Sequence, residues 1–232
     1  MADVSIELRQ HYVAFLDVLG FSEMVAEDIK SEDHRHLSKL FKCHQAAAHI
    51  FSDDPNCSIT QFSDSIVVAK PFDADAFDWF VTRVAKYQRL LLDEELLCRG
   101  GISVNKHFSN GSFTFSAGLI AAYRVESKMA RYPRVVVSPE VMELIFPGVT
   151  DVPKHLVRED DGLLFVDYIG HTRATKPKRL ESAVESVVRT LLGSETASIR
   201  EKGIWLASYS DRVLGTKLQP PRFEAKYMRA ES

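Results

Sequence analysis

Phe15-Leu16-Asp17-Val18-Leu19-Gly20-Phe21-Ser22 and Gln61-Phe62-Ser63-Asp64-Ser65-Ile66-Val67-Val68 are the two stretches that decide the fold. Each sets one aspartate against an apolar run, beside a Gly or Ser turn. Phe15 and Leu16 lead into Asp17, and Ile66 to Val68 follow Asp64. A carboxylate at the mouth of a buried strand is costly to keep ionised unless a cation or hydrogen-bond donors stabilise it. Taken singly, either aspartate can be a turn or cap residue, Asp17 before Gly20 and Asp64 in a two-residue hairpin turn. Taken together on adjacent strands, they make an oxygen site for a hard divalent cation, and such a cation points to phosphate chemistry.

The rest of the chain suits that reading. Its 232 residues can bury one core with room for a short appendage, and 45% hydrophobic with 26% charged residues is ordinary for a soluble globular protein. A net charge of −3 gives no general attraction to nucleic acid or to an anionic membrane. A triphosphate would therefore need local cations. No apolar run has the length of a membrane span, and Met1 to Gln10 lacks the pattern of a signal peptide. Cys43, Cys57 and Cys98 are odd in number and lack metal-site spacing, which reads as free thiols in a reducing cytoplasm.

Outward from the two motifs, His11 to Asp17 reads as a buried strand. A helix follows over Phe21 to Ile29 with Ser22 as a possible cap, and another over about His34 to Phe51. Ser58 to Phe62 and Ser65 to Ala69 form a hairpin with Ser63-Asp64 at its tip. Asp73 to Leu97 is a long amphipathic helix. Cys98 to Val104 is a central strand whose Gly100-Gly101 lets something approach the backbone, and Ser109-Asn110-Gly111 is a hairpin turn. Ala117 to Ala130 is helical, Arg134 to Ser138 a strand, and Pro139 opens a helix. Leu163 to Val166 is a short strand, and two helices, near Leu180 to Leu192 and Glu195 to Val213, close the chain. One domain with a C-terminal helical extension spans residues 1–218, and residues 219–232 are a loose polar tail. The order predicts an α+β sandwich, one largely antiparallel sheet covered by helices, with Asp64 beside Asp17.

These residues resemble those of a known family. Asp17 to Ser22 is similar to the first metal motif of the class III nucleotidyl cyclases. Phe62-Ser63-Asp64 resembles the second, with Ser63 where glycine is usual. Arg99-Gly100-Gly101-Ile102 resembles the central strand, and Ser116 to Glu126 the helix after it. The likeness runs from about His11 to Val141 and implies the family's palm-like fold. It implies that Asp17, the Val18 carbonyl and Asp64 hold two Mg²⁺ or Mn²⁺ ions. These bind a nucleoside triphosphate and activate its 3′-hydroxyl for attack on the α-phosphate. Arg124 takes the place of the transition-state arginine. Its other reading is an exposed helix residue pairing with Glu126 or Lys128. Arg99 is a second candidate phosphate cation, or a structural hydrogen-bond donor at a strand end. Phe21 and Lys106 are candidate substrate contacts, although Lys106 and His107 also read as solvated surface.

The departures set the expected substrate. Thr60 and Phe113 stand where purine cyclases carry the polar pair that reads the base, Ser116 replaces a glycine, and Ile120 replaces the ribose-positioning asparagine. These departures, with Ala122-Tyr123-Arg124-Val125-Glu126, Tyr132-Pro133-Arg134-Val135, Asp161 to Asp167 and Trp205 to Tyr209, resemble the stand-alone pyrimidine cyclases of bacterial Pycsar antiphage systems. That resemblance implies UTP or CTP as substrate, with a lean to UTP. It implies a cyclic pyrimidine nucleotide that signals to a separate effector, and a cytoplasmic homodimer with sites between subunits, with neither nucleic acid nor membrane as partner. The rival readings are a purine cyclase and a non-catalytic nucleotide-binding relative. A phosphohydrolase lacks an identifiable water-activating base.

Overall fold

The computed structural model describes residues 7–223. Strand β1 (Arg9–Val18) is the spine of the sheet. Tyr12, Ala14, Leu16 and Val18 point to one face, Val13 and Phe15 to the other, and all are buried. A strand covered on both faces reads as a continuous apolar run, which is why Tyr12 to Leu16 shows no polar alternation.

The chain continues through α1 (Phe21–Ser31), α2 (Arg35–Phe51), the hairpin β2 (Ser58–Phe62) and β3 (Ser65–Pro71), a short 3₁₀ turn, and α3 (Phe77–Asp93). Then come β4 (Cys98–Ser109), β5 (Thr114–Ser116), α4 (Ala117–Met129), β6 (Val135–Val137), α5 (Pro139–Ile145), β7 (Leu156–Arg158) and β8 (Leu164–Val166). Helices α6 (Pro177–Leu192) and α7 (Ala197–Leu214) close it. The sheet has eight strands in the order β2-β3-β1-β4-β6-β8-β7, with β5 paired to β4. All pairings are antiparallel except β4 with β6. The expected α+β sandwich, a mainly antiparallel sheet covered by helices, is the architecture observed.

The two faces are covered unequally. Buried side chains of α2, α3, α6 and α7 join β1, β3 and β4 in the main core. The opposite face carries α4, whose Ala122 packs on Val13, Phe15, Val67 and Ala69. This helix lies very close to the sheet. A Cβ on Gly101 would stand 2.3 Å from the Ala122 carbonyl oxygen, so the approach foreseen at the paired glycines is that of α4 itself.

Several boundaries differ from expectation. Gly20, at φ 79°, is the N-cap of α1, and Ser22 lies inside the helix. Helix α3 stops at Asp93 because Glu95 turns left-handed at φ 62° ahead of β4. Strand β7 has only three residues, too short to show a period in the sequence. The three cysteines are free thiols. Residues 219–223 hold no regular element, with Gln219 N–H donating to Asp211. The remainder of the expected tail lies outside the described residues.

Candidate active site

The two aspartates meet as their motifs foretell. β1 delivers Asp17 in register with Ser65 of β3 on one side and Arg99 of β4 on the other. The β2–β3 hairpin turns through Ser63 and Asp64, and the Val18 N–H donates to the Asp64 carbonyl at 3.2 Å. That bond ties the hairpin tip to the end of β1. Ser63 adopts φ 52°, a left-handed conformation that glycine takes at no cost and serine does not.

A short chain of charge crosses the site. Arg99 Nε lies 3.6 Å from Asp17 Oδ2 and 2.5 Å from Glu126 Oε1. Ser65 Oγ donates to Asp17 Oδ1 at 3.4 Å. The Asp17 side chain is 21% exposed, and Glu126 only 2%. Burial raises the Asp17 pKa, the nearby Asp64 charge raises it further, and Arg99 and Ser65 oppose this. Glu126 is likewise raised, chiefly by burial. Neither Arg99 Nε nor Glu126 Oε1 has a hydrogen bond of good geometry, despite the short ion-pair distance. Asp17 and Glu126 thus share one guanidinium with the Asp64 charge close to Asp17, and the cluster is short of positive charge.

Glu126 is the residue that sequence reasoning missed. It is not a surface partner of Arg124. It faces the sheet with Gly118, Ala122 and Val125, and that i, i+4, i+7, i+8 spacing is the signal that placed it there. Arg124 is on the outer, exposed side of α4 with Ile120 and Tyr123, 55% and 53% exposed, and it makes no ion pair among the described residues.

The other candidates scatter. Phe21 opens α1 directly after the Gly20 cap, its ring packed on the main core. Thr60 pairs with Val67 and so points to the α4 side of the sheet, the side that carries Asp17. Phe113 is 58% exposed in the β4–β5 connection. Lys106 pairs with Gln10, seven positions along β4 from Arg99 and on the opposite face; that is about 23 Å of strand. Its ammonium donates to the Leu8 carbonyl at 3.3 Å. Within one chain, Lys106, Phe113 and Arg124 are therefore not brought to the aspartates. His107, read as surface, is 3% exposed, with Nδ1 2.8 Å from the Ser116 hydroxyl that caps α4.

Two carboxylates beside the Val18 main chain are an all-oxygen donor set that suits Mg²⁺ or Mn²⁺. The surplus of negative charge around Asp17 fits a cation. No group of three or more His, Cys, Asp and Glu able to hold a metal occurs among the described residues. A divalent ion here would need further oxygens from its ligand.

No family model matches the chain, and no curated protein matches it. Solved structures do resemble it. The adenylyl cyclase CyaB from P. aeruginosa is 16% identical over 69% of this chain and 94% of that one, with a TM-score of 0.48. The catalytic core of a rhodopsin-guanylyl cyclase with converted specificity, in complex with ATPαS, is 14% identical over 68% and 96%, with a TM-score of 0.47. A class III adenylyl cyclase-like ATP-binding protein from P. aeruginosa is 14% identical over 82% of this chain and 46% of that one, with a TM-score of 0.46.

Proposed function

We propose that this chain is a metal-dependent nucleotidyl cyclase that converts a pyrimidine nucleoside triphosphate, UTP or CTP, to its 3′,5′-cyclic monophosphate and pyrophosphate. The observation that carries this reading is the meeting of Asp17 and Asp64 at strand ends, with Arg99 between Asp17 and Glu126. Asp17, Asp64 and the Val18 carbonyl would hold the metal. When bound, the ions neutralise charge on the attacking 3′-oxygen and on the leaving pyrophosphate. The N–H groups of Phe21 to Glu23 precede the first helical bond of α1, from Met24 N–H to the Gly20 carbonyl, and face the same end of β1. They receive the terminal phosphates. Arg99, beside Asp17, would supply a cation to the bound phosphate.

Thr60 lies on the site's side of the sheet and offers one hydroxyl to a base. Arg124, Ile120 and Tyr123 form an outward face that a second copy would cover, and that copy's Arg124 and Phe113 would complete the site. Each subunit would contribute to two equivalent composite sites. No helix among the described residues is long and apolar enough to cross a membrane. In this reading the product acts in the cytoplasm, on a separate effector of antiphage defence. The test is to incubate the pure protein with each of the four triphosphates and Mn²⁺ and identify products by mass spectrometry. A cyclic pyrimidine as main product supports the reading. Cyclic AMP or cyclic GMP as main product leaves a cyclase with the purine specificity, and binding without turnover leaves a nucleotide sensor.

A further inference from the structure

Away from the aspartates, a cavity of about 730 Å³ opens between the β1–α1 turn, the start of α2, the α3–β4 connection and the C-terminal helices α6 and α7. That volume is in the range of small-molecule sites. Its floor is apolar, built from Leu19, Met24, Leu96, Leu97, Val187 and Leu191. Its rim is cationic, with Arg35, Lys39 and Lys202 against two carboxylates, Glu23 and Glu95. Glu95 is already engaged, by Lys39 at 3.2 Å and by the Ser186 hydroxyl at 2.5 Å. Arg35 and Lys202 have no carboxylate partner among the described residues. Arg35 reaches His36 Nε2 at 3.3 Å, and Lys202 donates to the Ser198 carbonyl at 3.1 Å.

The start of α7 opens onto the same space. Thr196 precedes the helix without capping it, and the first helical bonds run from Ile199 and Arg200 N–H to the Thr196 carbonyl. The Ala197 and Ser198 N–H groups are left without helical acceptors, and no acidic residue occupies the first turn. Thr196 and Ser198 line the cavity.

We propose that this cavity binds a small amphipathic organic anion: a carboxylate or phosphate monoester head on an apolar body of one or two rings. The head sits at the start of α7 with Lys202 and Arg35, and the body lies over Leu96, Leu97 and Val187. The cavity adjoins the turn behind Asp17, where Leu19 N–H donates to the Leu97 carbonyl at 2.8 Å. A bound ligand would brace that turn. The binding itself does not depend on the proposed cyclase activity.

The experiment titrates the intact protein by calorimetry with 1-naphthoate, 1-naphthyl phosphate and the neutral 1-naphthalenemethanol. At least one anion should bind about tenfold or more tightly than the alcohol, a difference of about 1.4 kcal/mol. Lys202→Gln and Arg35→Gln should each weaken that anion several-fold and leave the alcohol unchanged. Thr190→Trp, at an exposed position on the cavity wall, should abolish binding without lowering the melting temperature. The better-bound anion identifies the head group. Absence of binding by both anions up to about 5 mM overturns the proposal, as does equal binding of the alcohol or indifference to all three variants.

Discussion

Arg99 and Arg134 each lie between two carboxylates, and they are held in opposite ways. Arg134 is 1% exposed and pairs with Glu159 and Asp161, with Nη2 also donating to the Met129 carbonyl at 2.8 Å. Trp205 Nε1 closes the far side by donating to Glu159 at 2.7 Å. Arg99 is 34% exposed, meets Asp17 and Glu126 through Nε alone, and makes no hydrogen bond of good geometry. Both leave Nε itself without an acceptor. The difference is saturation. Arg134 fastens the α4–β6 connection to the β7–β8 hairpin and to α7, with both of its terminal nitrogens hydrogen-bonded. Arg99 serves two carboxylates while the charge of a third, Asp64, also bears on Asp17, and this cluster is left open for charge from outside. A closed ionic cluster holds a fold together, whereas an open one at a strand mouth waits for a ligand.

The largest effect should come from the open cluster. Asp17→Ala or Asp64→Ala should lower cyclisation by about 10³-fold or more, roughly 4 kcal/mol of barrier, with circular dichroism unchanged. Turnover within about tenfold of wild type would remove the metal site from the comparison.

The closed cluster should answer in stability instead. Arg134→Met leaves Glu159 and Asp161 without their cation and should cost about 3–5 kcal/mol in urea unfolding. Arg99→Met, at a guanidinium 34% exposed, should cost less than Arg134→Met in the same measurement yet lower turnover about 10²-fold. If the two variants lose stability equally, the contrast between open and closed fails.

Arg124 tests whether the open cluster is completed by a second copy. Asp17→Ala and Arg124→Ala should each be nearly inactive. Mixed one to one with verified subunit exchange, half the dimers are hybrids with one intact site of two, so about a quarter of wild-type activity should return. A mixture that stays dead rules out action of Arg124 across the interface.

The far end of α4 sharpens the comparison by pH. Burial, with His11 beside it at 5.1 Å between ring centroids, pushes the His107 pKa down to about 4. The folded value lies below the unfolded one. The stability of the neutral form is therefore fully present above about pH 6.5 and is lost as pH falls toward 4, by at most about 1.4 kcal/mol per pH unit. A His107→Asn protein should lose less stability than wild type between pH 7 and 5; equal losses would show that this histidine titrates alike in the folded and unfolded states.

The smallest effect concerns the hairpin tip. Ser63→Gly relieves the left-handed serine and should raise stability by up to about 1 kcal/mol with turnover retained. No gain would mean that the turn is unstrained.

The sheet was legible in the sequence because its inner strands are covered on both faces. Tyr12 to Leu16 and Ile66 to Ala69 have no other stable use. The meeting of Asp17 and Asp64 followed from two turns at the ends of those runs. The short strand β7 was not legible, because three residues carry no period. The role of Glu126 was hidden for another reason. Its buried face could be read from helical spacing, but its pairing with Arg99 depends on how closely α4 approaches β4, and Gly101 sets that distance only in three dimensions. Lys106 shows the converse. Its charge suggested a phosphate contact, and strand register carried it to the other end of the sheet.

The central place of β1 has a consequence for synthesis. This strand precedes both of its neighbours in the sheet, β3 and β4, along the chain. Arg99, which lies beside Asp17, is translated 82 residues after it. At 5–20 residues per second the ribosome needs roughly 4–16 s to supply that second edge. For that interval the buried run Tyr12 to Leu16 is unpaired on at least one side. The segment that ends in Asp17 therefore gains from holdase protection during translation.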